Sequence, residues 1–161
     1  MADKQTPPGE GKRSIARNPR ATHDYHILET WEAGVVLRGT EVKSLRSGHA
    51  TLVGAFARVH RGEVFLEGMN VKPYAQGNRW NHDPVRSRKL LLHKHEVGRL
   101  IGAVEQQGLT LVPLELYWKD GRAKVGLARG RGKKLHDKRE DLKRRDARRE
   151  VERVARTRGR I

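Results

Sequence analysis

Short apolar runs rich in β-branched and aromatic residues, broken by Gly, Asp and Arg, recur along the middle of the chain. Runs of this length bounded by turn-forming residues are typical of β-strands. Arg61-Gly62 separates two such runs and predicts a β-hairpin, and Glu32-Ala33-Gly34 reads as a turn between two others. The strands are expected at residues 25–28, 35–37, 55–60, 63–66, 109–118 and 122–127.

Two helices are expected between these strands. Thr40 suits an N-cap and Gly48 a C-terminal cap, which predicts a short helix from Glu41 to Ser47. A second helix is expected from His93 to Gln107, because its apolar residues recur with helical spacing. Residues 71–88 read as a long surface loop. Many short strands with few interposed helices predict a mainly β fold, a small closed β-barrel with two or three embedded short helices.

The amino-acid composition and net charge exclude several classes of protein. The chain has 161 residues, with 35 Lys and Arg against 19 Asp and Glu, a net charge of +16. The absence of Cys excludes disulfide scaffolds, thiol nucleophiles and Cys-ligated zinc. No apolar run approaches the length of a membrane-spanning helix, and residues 1–8 have no apolar core typical of a secretory signal. We therefore expect a cytoplasmic protein, not bound to a membrane, whose partner is a polyanion such as nucleic acid.

The charge is concentrated at the C-terminal end. Residues 129–161 hold 15 Lys and Arg against 6 Asp and Glu, a net +9. Their few apolar residues form no single helical stripe, so this basic tail is expected to be disordered when free and helical when bound to an anion. Residues 1–14, rich in Pro and Gly, read as a second disordered arm. The predicted domain between them spans residues 15–128.

No catalytic arrangement is visible in the sequence. His93 and His95 lie two residues apart, which does not match a zinc-binding pair, and residues 130–134 lack the spacing of a phosphate-binding loop. Asp24, Glu32 and Asp83 are too scattered to indicate a nuclease site. We therefore expect no enzyme activity, no metal and no cofactor.

Basic clusters and aromatic residues give a more specific signal. Lys43 and Arg46 adjoin on the predicted short helix, and a second basic cluster lies in the long loop at Arg86, Arg88 and Lys89. Together with aromatic side chains, of which Trp80 is the one expected to be exposed, such clusters are typical of RNA-binding surfaces. The alternative is that these charges only keep the protein soluble and that the aromatic rings belong to the core.

Several strings then point to a family. They are Glu32-Ala33-Gly34, Gly39–Arg46 with Gly48, Ala21 with His23–Tyr25, Arg86 with Arg88–His93, Val112–Leu114 with Tyr117, and Gly132–Lys134 with Asp137–Arg139. In this order and spacing they resemble the small protein B family, bacterial proteins that bind transfer-messenger RNA in trans-translation. The resemblance covers about residues 15–145.

The resemblance implies an oligonucleotide-binding (OB-like) barrel and a noncatalytic adaptor that acts as a monomer. The barrel would grip the tRNA-like domain of transfer-messenger RNA (SsrA RNA) at its elbow and deliver that RNA to stalled ribosomes for nascent-peptide tagging. The tail would occupy the empty mRNA channel in place of codon–anticodon pairing, against small-subunit rRNA at the decoding site.

The resemblance also assigns residues. On the barrel it implies RNA contacts from Asn18, Tyr25, Glu32, Lys43, Arg46 and Leu92. In the tail it implies ribosome contacts from Gly132, Lys133, Lys134, His136, Asp137, Lys138 and Arg139. Glu32 would accept from a base amino group or a 2′-hydroxyl, or orient a neighbouring Arg. The alternative is that it is an ordinary turn carboxylate. His136 would stack on an rRNA base.

One departure concerns the end of the barrel. In the family an apolar strand runs straight into Gly-Lys-Lys, whereas here residues 129–131 read Arg-Gly-Arg. The last strand is therefore expected to stop early, or the correspondence slips by a residue or two at this point. A competing interpretation of the whole chain is a basic structural protein of the ribosome, which would share the charge and the tail but would co-purify with intact subunits.

Overall fold

The computed structural model describes residues 12–75, 81–105 and 109–159. Over these ranges the chain forms nine strands and four helices. The strands are β1 Arg13–Arg17, β2 Tyr25–Val35, β3 Ala50–Thr51, β4 Phe56–His60, β5 Glu63–Glu67, β6 Asn70–Val71, β7 Arg88–Leu91, β8 Leu109–Lys119 and β9 Arg122–Gly132. The helices are α1 Pro19–Asp24, α2 Gly39–Arg46, α3 Lys94–Glu105 and α4 Leu135–Arg158.

The main sheet closes on itself. Its strands pair in the order β1-β8-β4-β5-β7-β2-β9, and an additional β8–β9 pairing joins the ends of the ring. Strand β1 adds to β8 outside this ring, and β3 pairs only with β6. The predicted mainly β fold with a few short embedded helices is thus confirmed, as is the hairpin of β4 and β5 around Arg61-Gly62.

The interior of the ring is apolar. Trp31, Leu66 and Leu127 lie in one continuous core, to which helices α2 and α3 contribute Leu45 and Leu100. Full burial of a side chain of this size stabilises the fold by about 1.5–3 kcal/mol. The core therefore fixes the barrel and holds α2 and α3 against it.

The predicted turn at Glu32-Ala33-Gly34 is wrong, because β2 runs unbroken through it. Strand β9 pairs along this segment, with Glu32 opposite Gly126 and Ala33 opposite Val125. On the other side Gly34 pairs with Leu91 of β7, where a Cβ on residue 34 would lie 3.4 Å from the Leu91 side chain. Pairing on both sides keeps the chain extended, and the glycine accommodates a neighbouring side chain.

The last strand extends further than predicted. Strand β9 continues to Gly132, five residues beyond the expected end at Leu127, so the barrel does not stop at residue 128. Gly130 pairs with both Ile27 of β2 and Thr110 of β8, and Gly132 pairs with Tyr25. At the other end β1 begins at Arg13, inside the predicted arm of residues 1–14, of which 1–11 lie outside the described residues.

Most of the basic tail is helical in the structure, and its disorder in the absence of a partner stays a prediction. Helix α4 spans Leu135–Arg158 and has no buried residue. Its Arg and Lys residues have high helix propensity, and its first turn carries Asp137, which favours the positive end of the helix dipole. Contacts at its base, described below, join it to the barrel.

Within the described ranges, none of the helices is both long and apolar enough to cross a membrane. Trp80, the aromatic residue expected to be exposed, lies outside the described residues.

Candidate nucleic-acid interface

Asn18 joins the start of α1 to strand β8. Its backbone N–H donates to the Leu114 carbonyl at 2.8 Å, and its Nδ2 donates to the Pro113 carbonyl at 3.0 Å. The residue is 8% exposed, and its Oδ1 has no hydrogen-bond partner among the described residues. A buried acceptor without a partner is unfavourable, so Oδ1 needs a donor that the described residues do not supply.

A pocket of about 260 Å³ lies beside Asn18. Tyr25 and Phe56 line it, Phe56 being 45% exposed, and Arg20 adds a cation. Aromatic and apolar walls next to a cation and a free acceptor suit a nucleotide, whose base can stack while its amino or hydroxyl groups donate.

Tyr25 can occupy its position at this pocket because residue 130 is a glycine, which has no side chain. A Cβ on Gly130 would lie 2.8 Å from the Tyr25 Cβ and 3.3 Å from its Cγ, closer than packed atoms approach. Residue 130 must therefore be glycine for the Tyr25 ring to keep its position against Ala21 and Ala128.

Glu32 is already engaged within the protein. The Tyr117 hydroxyl donates to Glu32 Oε2, and Lys119 Nζ lies 3.3 Å from both carboxylate oxygens. Burial raises the pKa of Glu32, but the hydrogen bonds from Tyr117 and Lys119 outweigh it, and the net pKa lies below the ordinary value. Burial and the Glu32 carboxylate raise the pKa of Tyr117. The arrangement orients Lys119, a cation that the sequence analysis did not single out.

Lys43 and Arg46 are exposed on α2. Lys43 Nζ lies 5.5 Å from the centroid of the Tyr74 ring, and the helix is anchored by a hydrogen bond from the Ser44 hydroxyl to the Lys72 carbonyl. Thr40 Oγ1 and His82 Nδ1, 2.9 Å apart, add a second anchor. Because these two contacts hold helix α2 in place, the helix presents Lys43 and Arg46 to solvent in fixed positions.

Two members of the second basic cluster do not lie free on the surface, which corrects the interpretation of Arg86 and Arg88 as phosphate contacts. Arg88 is 0% exposed, and both Arg86 and Arg88 donate to the carboxylate of Glu41, which is itself buried. Burial raises the pKa of Glu41, but the hydrogen bonds from these arginines outweigh it and the net pKa is lowered. Lys89 pairs with Glu63 at 2.9 Å. Arg86 and Arg88 thus fasten α2 to β7.

Leu92 follows β7 and is half-buried against the main core. Its neighbour Leu91 is 54% exposed, because successive side chains of a strand point to opposite faces. Leu91 is therefore the leucine of this segment that offers apolar surface to a partner, and the sequence analysis did not select it.

The structure separates the barrel residues into groups. Asn18 and Tyr25 lie together at the start of β2, beside the tail junction. Glu32 lies seven residues further along β2, roughly 20 Å away at the rise of a strand. It is near the end of β2 that pairs with Leu90 and Leu91 of β7. Lys43 and Arg46 form a third group on α2.

The tail residues also divide. Lys134, His136 and Arg139 are exposed, and His136 Nε2 lies 3.4 Å from Glu140. Lys133 and Lys138 instead form ion pairs, Lys133 with Asp141 and Lys138 with Asp24. Asp137 lies 3.5 Å from His26, and Gly132 ends β9 in open space.

The described ranges contain no group of His, Asp and Glu side chains arranged to hold a metal ion. The residues that sequence reasoning missed are Lys119, Leu91, Gly130 and Glu41. Periodicity along β7 could have separated Leu91 from Leu92, whereas the roles of the others depend on strands and helices distant in the sequence.

Known proteins resemble this chain over most of its length. A family model described as "SmpB protein" matches residues 15–157. A Geobacillus sp. (strain WCH70) protein named SsrA-binding protein is 59% identical over 155 residues, 96% of this chain and 99% of that protein. Its counterpart of the same name in Bacillus subtilis (strain 168) is 57% identical over 150 residues, 93% of this chain and 96% of the relative.

A solved structure described as "tmRNA-SmpB: a journey to the center of the bacterial ribosome" is similar as well. It superposes with a TM-score of 0.63 at 58% sequence identity, over 74% of this chain and 84% of the other.

Proposed function

The chain belongs to the SmpB protein family, and from that membership we propose that it is a noncatalytic adaptor for trans-translation. It binds transfer-messenger RNA and delivers that RNA to ribosomes stalled in the cytoplasm. The observation that carries the proposal is the match over nearly the whole chain to proteins named for binding SsrA RNA.

The barrel is the RNA-binding part in this proposal. The pocket beside Asn18 takes a nucleotide of the tRNA-like domain, with Oδ1 accepting from a base amino group or a 2′-hydroxyl and Tyr25 contributing its ring. Lys119, oriented by Glu32, and the α2 cations Lys43 and Arg46 contact phosphates. Leu92, with the exposed Leu91 beside it, gives an apolar contact.

Helix α4 is the ribosome-binding part. Its 24 residues span about 36 Å at the rise of an α-helix, and its surface is strongly basic. Inserted into a vacant mRNA channel, it would place Lys134 and Arg139 against rRNA phosphates and His136 against an exposed base. Gly132, Asp137 and Lys138 belong to the same contacting segment.

The proposal is tested first by identifying the RNA. The protein is purified from cells under moderate salt, and the RNA that co-purifies is sequenced. We expect one abundant RNA with a tRNA-like domain. Recovery of intact 16S rRNA alone would favour the structural ribosomal protein instead and overturn the proposal.

The barrel contacts are tested by the salt dependence of binding. Lys43→Ala combined with Arg46→Ala should weaken affinity for the tRNA-like domain, and the log–log salt slope should fall by about 0.7–0.9 for each phosphate that is no longer neutralised. A matched control is Arg144→Ala combined with Arg145→Ala, two exposed cations of α4 outside the proposed barrel contacts. A double variant with the affinity and slope of the parent would remove α2 from the interface.

The role of Asn18 is tested separately. Asn18→Asp keeps the shape and an acceptor but loses the Nδ2 donor to the Pro113 carbonyl, whereas Asn18→Ala removes both. If Oδ1 accepts from the RNA, Asn18→Ala should lose on the order of 1–1.5 kcal/mol of binding free energy. Thermal melting of both variants shows how much of the loss is unfolding. Normal RNA affinity of folded Asn18→Ala would exclude the contact.

A further inference from the structure

The segment that follows β6 is docked on the C-terminal end of α2. The Lys72 N–H donates to the His49 carbonyl at 3.0 Å, and the Ser44 hydroxyl donates to the Lys72 carbonyl. His49 is itself held in place, because its N–H donates to the Ser44 carbonyl at 3.2 Å. Both backbone polar groups of Lys72 are therefore bonded to the last turn of α2 and to the residues just after it.

These bonds place Lys72 beside the two cations of α2. Lys43 precedes Ser44, and its Nζ lies 5.5 Å from the ring centroid of Tyr74, two residues beyond Lys72. Arg46 lies three residues after Lys43, a spacing that brings the Cβ atoms of a helix within about 5–6 Å of each other. Lys43, Arg46 and Lys72 are all exposed, and we call these three residues the α2 basic patch.

The segments that form this patch supply no carboxylate to neutralise it. Glu41 is the only acidic residue of α2, and it is 0% exposed, bonded to the two arginines that fasten α2 to β7. Residues 47–51 and 72–75 contain neither Asp nor Glu. Among the described residues, the three cations of the patch therefore have no ion-pair partner.

Other cations of the barrel are already paired. Lys89 lies 2.9 Å from Glu63, and Arg58 lies 2.7 Å from Glu67. A cation with a carboxylate partner gains less from a phosphate, because binding must first break the existing pair. Three neighbouring cations without such partners repel one another in the free protein. Phosphates would relieve that repulsion and release counterions from the RNA.

We propose that Lys72 is a third phosphate contact, which Ser44 holds beside Lys43 and Arg46 so that the α2 basic patch neutralises neighbouring phosphates of one RNA strand. The inference rests on the proposed function, in which α2 contacts the tRNA-like domain. It extends the interface from the helix to the loop that follows β6.

The contact is measured by the salt dependence of binding to the isolated tRNA-like domain of transfer-messenger RNA. Lys72→Met keeps the aliphatic stem and removes the charge. Affinity should fall about fivefold at about 0.15 M salt, and the log–log salt slope should fall by about 0.7–0.9, the value for one phosphate that is no longer neutralised. Lys72→Arg keeps a cation and should retain the slope of the parent.

A matched control separates position from net charge. Lys143→Met removes the same charge from an exposed site of α4 and should leave the affinity and the slope close to those of the parent. Parental affinity and slope for Lys72→Met would overturn the proposal. An equal loss with Lys143→Met would overturn it as well, since only the net charge would then matter.

The role of Ser44 is tested by a double-mutant cycle. Ser44→Ala removes the hydroxyl that donates to the Lys72 carbonyl and changes no charge. In that background Lys72→Met should lower affinity by less than about twofold, because the ammonium no longer has a fixed position. Affinities refer to the folded fraction, which thermal melting measures for each variant. An undiminished fivefold loss would overturn the arrangement in which Ser44 holds Lys72.

The same titrations separate this inference from the proposed function. An unrelated RNA hairpin of equal length serves as the comparison, and the parent should bind the tRNA-like domain much more tightly than this hairpin. Equal affinity of the parent for both RNAs would overturn the proposed function. A lower salt slope for Lys72→Met would, even then, still support Lys72 as a phosphate contact.

Discussion

The barrel and helix α4 are built on different principles. The barrel closes its sheet around a continuous apolar core that includes residues 0% exposed such as Leu66 and Leu127. Helix α4 has 24 residues, more than any two of the described strands together, yet none of them is buried. The barrel is held by burial and the tail by helix propensity and the charges at its base.

This difference indicates which substitutions matter in each part. In the barrel, the volume of a side chain and the pairing of a buried charge decide stability. In α4, single charges are screened by solvent, and among the described residues only Asp137 and Lys138 form ion pairs with the barrel, with His26 and Asp24. Substitutions in the barrel should therefore change stability most, whereas substitutions in α4 should change function with little effect on stability.

The largest expected effect is at the buried pair of α2 and β7. Glu41→Ala leaves Arg88, which is 0% exposed, without its carboxylate partner. Removal of one partner of a buried ion pair lowers the free energy of unfolding by about 3–5 kcal/mol. Urea unfolding followed by circular dichroism measures it.

The control for this prediction is Glu63→Ala. Glu63 pairs with Lys89 in an ion pair whose side chains are 49% and 42% exposed, so its loss should change stability by about 0–1 kcal/mol. Similar losses from Glu41→Ala and Glu63→Ala would contradict the account of Arg88 as a structural residue.

A smaller effect is expected where the barrel meets the tail. Gly130→Ala places a methyl group 2.8 Å from the Tyr25 Cβ and should lower the free energy of unfolding by about 1–3 kcal/mol. Gly132→Ala, two residues further along β9, meets nothing within 4 Å and should leave stability almost unchanged. If the β9 register were shifted near its end, Gly132→Ala and not Gly130→Ala would lower the free energy of unfolding. That result would contradict this account.

The smallest effect is the acid sensitivity of the junction. A hydrogen bond from His23 and the charge of Lys138 lower the pKa of Asp24, and Lys133 lowers the pKa of Asp141. Folded pKa values below the unfolded ones mean that these pairs stabilise the docked helix above the ordinary Asp pKa and lose their effect as pH falls through the folded values.

Amide hydrogen exchange in the first turns of α4 measures this sensitivity. Protection should fall below about pH 4, the range of ordinary Asp titration, and Asp141→Asn should abolish its share of the pH dependence. Protection that is the same at pH 3 and pH 7 would show that these carboxylates do not hold the helix.

Sequence patterns located most of the elements because the barrel is built from local signals. Turn residues such as Arg61-Gly62 and the apolar spacing of α3 are readable one segment at a time. Glu32-Ala33-Gly34 misled the prediction, because its extended conformation is imposed by β9 and β7 on either side and not by its own residues. Pairing with β2 and β8 likewise carries β9 through Arg129–Arg131, which has little strand propensity.

The candidate site was less accessible to sequence reasoning. A basic residue gives the same signal whether it faces solvent, as Lys43 does, or is buried beside a carboxylate, as Arg88 is. Lys133 and Lys134 are adjacent and identical in type, yet one is 7% exposed and the other faces solvent. Only the tertiary structure separates a cation that holds the fold from one that can reach RNA.

The central claim, that the barrel binds the RNA while α4 serves the ribosome, is tested most directly by a chain truncated after Lys134. This chain retains all nine described strands and lacks α4, which has no buried residue, so the barrel should remain folded. In a reconstituted system with stalled ribosomes, it should bind the tRNA-like domain with a modest loss from the missing positive charge, and tag no nascent peptide. Tagging at the rate of the full chain would contradict the account.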